Sequence, residues 1–236
     1  MGLLLILGTH EFGHYLACRK NDVDSSLPYF IPAPPFFLVG TFGAFIKIKE
    51  PIPDRRALME IGAAGPIAGF VAAVPVLAIG IALSDVYPAM QVPGYNLGDS
   101  LITFLFSKAI LGVTSYDEAV TIMVHPVAYA GWFGMFITAM NLLPIGQLDR
   151  GHVIYSLFPR HHVWVGIVFF VALLIMGWGW PGWFVFSGLI LLMGFRHPPL
   201  LEDEPDLKRR HLWMGYACIL IFLATIIPIP IEVIGG

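Results

Sequence analysis

The chain has 236 residues, 57% of them hydrophobic and only 12% charged, with a formal net charge of −3 and a mean hydropathy of +0.78. A soluble domain carries about 25% charged residues, so this composition excludes water as the main solvent and calls for a helical bundle in lipid. There is no bulk basic signal for nucleic acid, and two distant cysteines, Cys18 and Cys218, without a CxxC suggest neither a disulfide framework nor a thiolate metal site.

Residues 2 to 19 form the first apolar segment, close to the roughly 20 residues that cross a bilayer. It lacks the basic start and cleavage site of a secretory signal. It begins nine residues before a charged motif, which points to further sequence upstream. Residues 20 to 56 hold Pro28, Pro32, Pro34, Pro35, Pro51 and Pro53, which exclude a long helix. Within them Thr41 to Lys49 alternates partly and reads as a short strand or half of a hairpin. A second helix is expected from about Ala57 to Leu83. Its small residues Gly62, Gly65 and Gly69 would let a neighbouring helix come close.

Residues 84 to 122 read as a mixed loop with an amphipathic surface helix at 100 to 111. A third span runs from about Met123 to Leu143 and ends at Pro144. Residues 163 to 195 are apolar with a GWGWPGW break at 177 to 183, giving either a helical hairpin or one broken helix. A charged linker (Arg196 to Arg210) leads to a last span over about 211 to 228. No internal repeat is evident. The expected fold is an all-α polytopic membrane protein of about five to six transmembrane helices, with a small membrane-edge β strand or hairpin near 40–50.

With 163 to 195 as a hairpin, 12 of the 13 basic residues share one side and only Lys108 falls opposite. The positive-inside rule makes that side cytoplasmic. Counting 163 to 195 as one span weakens the split to 8 against 5.

The chemistry centres on His10-Glu11-Phe12-Gly13-His14. Helical positions four apart share a face, so His10 and His14 can bind one zinc while Glu11 acts on a metal-bound water. Ionisable groups inside an apolar segment are expensive and usually functional. A catalytic zinc takes a third protein ligand, and Asp149, in NLLPIGQLDRGH, is the best candidate. The bland alternative is that Asp149 caps a helix starting near Gly151. His152 and His125 are weaker candidate ligands. His161, His162, His197 and His211 read as residues of polar loops or span ends. Asn141, near the end of the third span, either touches the substrate or the oxyanion, or joins helices structurally.

Together these residues resemble the site-2 protease family of intramembrane metalloproteases. HEFGH at 10 to 14 looks like the family's HExxH. NLLPIGQLDRGH at 141 to 152 looks like its second motif, an Asn and a Pro followed by Leu-Asp-Gly, and GAAGPIAGF at 62 to 70 looks like its Gly-Pro helix. The stretch from 40 to 66 resembles the cyanobacterial, plastid and archaeal branch. Two departures stand out. Arg150 replaces the usual Gly after the Asp, and little precedes the motif helix, where members commonly have an earlier span.

The resemblance implies one zinc per chain held by His10, His14 and Asp149, with Glu11 as base and Asn141 positioning substrate or stabilising the transition state. It implies single-pass membrane proteins as substrates, met in the bilayer, and a strand at 41 to 49 able to pair with an extended peptide. The whole chain, 1–236, reads as a single transmembrane peptidase domain, with its core at about 1–160 and C-terminal helices at about 163–230. Its length leaves no room for a PDZ insertion. A membrane divalent-metal transporter is the alternative from another class. It would need further polar ligands along a path through the membrane.

Overall fold

A computed structural model describes residues 1–32, 41–89, 94–143, 149–193 and 206–234. Within these the helices are α1 (Gly2–Lys20), α2 (Arg55–Ala82), α3 (Leu101–Leu111), α4 (Pro126–Leu142), α5 (Asp149–Leu157), α6 (His162–Met176), α7 (Gly182–Met193) and α8 (Arg209–Thr225). The strands are β1 (Tyr29–Pro32), β2 (Thr41–Phe45), β3 (Asp85–Pro88), β4 (Gly94–Leu97), β5 (Val120–Met123) and β6 (Ile231–Ile234). The chain is mostly helical, as its composition asks.

The centre is built from α1, α2 and α4. The Asp54 side chain accepts a hydrogen bond from Ala57 N at 2.7 Å and starts α2 two residues ahead of the expected point. Ile6 of α1, Ala73 and Leu77 of α2 and Met135 of α4 form one buried cluster. Small residues let the backbones approach: a Cβ on Gly131 would stand 2.5 Å from Leu77 Cα. Such contacts are what apolar helices use to associate where lipid and side chain are equally apolar.

Of the described helices, α2 alone is long and apolar enough to cross a membrane by itself, and α3, α6 and α7 are shorter apolar helices. Much of the outer surface is apolar, including Leu5 and Phe12 on α1, Trp164 and Ile175 on α6, and Trp213 and Leu220 on α8. A soluble protein rarely exposes apolar area on this scale.

The break at 177 to 183 separates two helices, α6 and α7. The turn between them is fastened by Trp183 Nε1, which donates to Pro228 O at 2.7 Å. The expected third span begins too early: Met123 belongs to β5, and α4 starts only at Pro126. The fixed φ of proline suits the first position of a helix.

The strands form three two-stranded antiparallel ribbons where one was expected. The β1–β2 ribbon, with Tyr29 opposite Phe45, is the anticipated hairpin. The β3–β5 ribbon pairs Asp85 with Met123 and closes the loop between α2 and α4. The β4–β6 ribbon pairs Leu97 with Ile231 and ties the C-terminal strand to that loop.

Candidate active site

His10, Glu11 and His14 lie on the buried face of α1, at 4%, 8% and 1% exposure, while Phe12 and Leu16 face outward. The helical period explains the division, because positions 10, 11 and 14 project to one side. His10 is ten residues from the end of α1 at Lys20, about 15 Å along the axis. The imidazoles are therefore deep within the apolar bundle.

The ring orientations follow from their partners. His14 Nδ1 lies 2.7 Å from Ile61 O on α2. A carbonyl only accepts, so Nδ1 carries the proton and Nε2 keeps its lone pair. The Asn141 amide, next to last in α4, donates from Nδ2 to His10 Nε2 at 3.1 Å. That nitrogen is therefore a lone-pair atom as well. The two Nε2 atoms face each other 3.2 Å apart. Two nitrogens bound to one tetrahedral zinc at about 2.0–2.1 Å stand about 3.3 Å apart, so the pair fits such an ion.

Asp149 is the first residue of α5, two residues ahead of the helix start expected near Gly151. The side chains of Asp149 and His152 lie outside the described residues, as do residues 144–148 of the motif. The rest of α5 runs beside the start of α2. Val153 packs with Met59 and Ala63, and Arg55 Nε donates to Ser156 O at 2.6 Å. Among the described residues no group of three His, Cys, Asp or Glu side chains converges.

The structure removes His125 from the candidate ligands. It caps the start of α4, its Nδ1 accepting from Val127 N at 3.2 Å, and it is 16 residues from Asn141, about 24 Å along the helix. His211 stands at a span end as expected, third in α8, and is fully buried there; its Nε2 lies 3.1 Å from Glu60 Oε1 and 3.1 Å from Arg210 Nε. Glu60 also takes Lys20 Nζ and Arg210 Nη2, each at 2.8 Å. The signal for this carboxylate was present, since a charge one turn inside an apolar helix needs partners.

A buried His-Glu-His helix inside an apolar bundle is the arrangement of a membrane-embedded metallopeptidase. The chain belongs to peptidase family M50, which it matches over residues 1–177. It is 37% identical over 239 residues to the probable zinc metalloprotease EGY1, chloroplastic, of Arabidopsis thaliana, an alignment covering 97% of this chain and 42% of that protein. The protein of the same name in Oryza sativa subsp. japonica is 34% identical, with 98% and 40% covered. The probable zinc metalloprotease EGY2, chloroplastic, of Oryza sativa subsp. indica is 28% identical, with 95% and 41% covered. The chain thus spans about two fifths of the length of these curated relatives. No solved structure matches it.

Proposed function

We propose that this chain is the catalytic part of a zinc metalloprotease that hydrolyses peptide bonds in membrane-spanning substrates. The observation that carries the reading is the pair of buried imidazoles whose Nε2 atoms stand 3.2 Å apart, beside a buried Glu11. His10, His14 and Asp149 would hold one zinc ion. Bound there, the ion would acidify a water and polarise the scissile carbonyl.

The chain's own groups do the rest. Glu11 takes the proton of the attacking water and returns it to the leaving amine. Asn141 lies next to His10 and holds the scissile segment or its developing negative charge. The close walls of α1, α2 and α4 bury His10, Glu11 and His14, and the low-dielectric surroundings strengthen each of these interactions. A substrate helix has its carbonyls bonded internally and must unwind locally before attack. The β1–β2 ribbon offers such a strand backbone partners.

The proposed setting is a multi-pass protein of five to six spans, its basic end cytoplasmic. The gathering of Lys20, Arg55, Arg56 and Arg210 near the start of α2 supports this orientation. The names of the relatives carry the word chloroplastic, so a plastid-type membrane is included. Membership of a peptidase family weighs against the metal transporter.

The test is metal analysis combined with cleavage of a membrane-anchored peptide by purified protein. Glu11→Gln is expected to keep one zinc per chain and lose cleavage, and His14→Ala to lose both. Cleavage at the normal rate by Glu11→Gln would remove the base assignment. Zinc flux into liposomes without proteolysis would favour the transporter.

A further inference from the structure

The two imidazoles lie against the face of α2, and two glycines make that possible. Around Gly65 the nearest heavy atoms to an added Cβ are Nε2, Cδ2 and Cε1 of His14, all in overlap. The His14 ring therefore rests on a bare Cα. One helical turn on, a Cβ at Gly69 would meet His10 at Nδ1 (2.9 Å), Cβ (3.2 Å) and Cγ (3.4 Å). Between them Gly13 of α1 presses on Ala64, where an added Cβ would lie 2.7 Å from the carbonyl oxygen.

The register is antiparallel and shares the period of four residues: His14 on Gly65, His10 on Gly69. Pro66 sits inside the same stretch. It removes the N–H that would close on the Gly62 carbonyl and opens the turn. The carbonyl of Ile61, one residue earlier, takes the Nδ1 proton of His14.

We propose that Gly65 and Gly69 are positioning residues that act through the metal-binding imidazoles. Together with the Ile61 carbonyl they form a seat that turns both Nε2 atoms to one point. The inference rests on the metal-site reading above. At both positions the three nearest atoms that an added Cβ would meet all belong to a histidine side chain, so the small size answers to the imidazoles. Gly80 is the contrasting case. An added Cβ there would overlap the backbone N of Ala128 on α4, so its role is helix packing alone.

The test uses the whole chain in detergent, with Co²⁺ as a spectroscopic probe. Four variants are compared with wild type: Gly65→Ala, Gly80→Ala, His14→Ala and the double variant Gly65→Ala/His14→Ala. Wild type is expected to bind one Co²⁺ with the intense visible bands of a four-coordinate site. Gly65→Ala should weaken Co²⁺ binding by about 10–100-fold, as loss of ligand orientation does, and diminish those bands. Gly80→Ala should lower the Tm but keep the bands in its folded fraction.

The second readout is the Tm of metal-free protein. In the His14→Ala background the ring is gone, so Gly65→Ala should leave Tm unchanged or raise it, alanine being the better helix former. Undiminished Co²⁺ affinity and spectrum in Gly65→Ala would overturn the proposal. So would an equal fall in Tm from Gly65→Ala in both backgrounds, which would make Gly65 a packing residue only. If wild type binds no Co²⁺, the metal-site reading fails, and the Tm cycle still decides whether Gly65 acts through His14.

Discussion

Glu60 holds three helices with one carboxylate. Its side chain is 5% exposed and takes Lys20 from α1 and Arg210 from α8, with Asn21 Nδ2 at 3.1 Å and His211 Nε2 at 3.1 Å. The Lys208 backbone N–H donates to His211 Nδ1 at 3.2 Å, and Arg210 Nε donates to His211 Nε2 at 3.1 Å. Removing the carboxylate leaves the Lys20 and Arg210 cations facing each other without their shared acceptor. Breaking a wholly buried pair costs about 3–5 kcal/mol, and here Lys20 and Arg210 are more than half exposed and solvent-screened, so Glu60→Ala should cost about 2 kcal/mol. Thermal unfolding in detergent reads this as a lower Tm; an unchanged Tm would show the clasp to be dispensable. Asp99 is the opposite case. It lines a cavity of about 210 Å³ with Thr103, Ser107 and Ser115, and burial pushes its carboxyl above the usual carboxylate range despite hydrogen bonds from Ser115 and Thr103. Folding then favours the protonated form. Between the ordinary pKa and the raised one the folded state binds more protons, so stability falls as pH rises through that window. Asp99→Asn should abolish this dependence and raise Tm at neutral pH, measured as Tm against pH for both proteins.

At the scale of the elements, the ribbons are the part hidden from the sequence. Asp85–Pro88 finds its partner at Val120–Met123, and Gly94–Leu97 finds its partner at Ile231–Ile234. Four-residue strands with distant partners leave no period to read, and hydropathy absorbs Met123 into the span that follows. The helices were legible where charged residues bound their apolar runs, as Lys20 does at the end of α1 and Asp54 at the start of α2, whereas Pro126, which begins α4, lies inside a run that hydropathy extends back to Met123. The site divides in the same way. The spacing of His10 and His14 announced a shared face, and an amide at Asn141 inside an apolar helix announced a partner. The Ile61 carbonyl and the seats at Gly65 and Gly69 depend on the register of α1 against α2, which a local pattern does not carry. The β4–β6 ribbon gives an element-scale prediction. Gly98 N donates to Pro230 O at 2.9 Å, Gly98 O accepts from Trp132 Nε1 at 2.7 Å, and an added Cβ would overlap Ile229 O. Gly98→Ala should destabilise by about 2 kcal/mol, the usual scale of an overpacked contact. Hydrogen exchange should rise in 94–97 and 231–234 together. Faster exchange in only one strand would separate the two.

The whole molecule has two chemically distinct ends joined by an apolar waist. One end gathers Lys20, Glu60, Arg210 and His211 around a single carboxylate, with Arg56 Nε donating to Asp206 O at 2.9 Å. The other holds the β3–β5 and β4–β6 ribbons, α3 and the tip of the α6–α7 hairpin, and Lys108 is its basic residue among those described. Between them the outward side chains are apolar, as lipid requires. Transfer of Lys and Arg across a membrane is disfavoured enough for such an asymmetry to fix orientation. α2, the helix long enough to cross alone, runs from Arg55 at the basic end to Ala82 at the ribbon end, so the proposed crossing puts the two ends on opposite sides. A phosphatase fused after Phe106 in a bacterial host should therefore be active, and a fluorescent protein fused after Leu207 should fluoresce in the cytoplasm. Activity after Leu207 with none after Phe106 would invert the molecule and carry the approach to the His10–His14 pair to the other face. Both reporters reading cytoplasmic would mean that α2 does not cross. That outcome would remove the lipid-buried setting in which the two imidazoles and Glu11 are proposed to work.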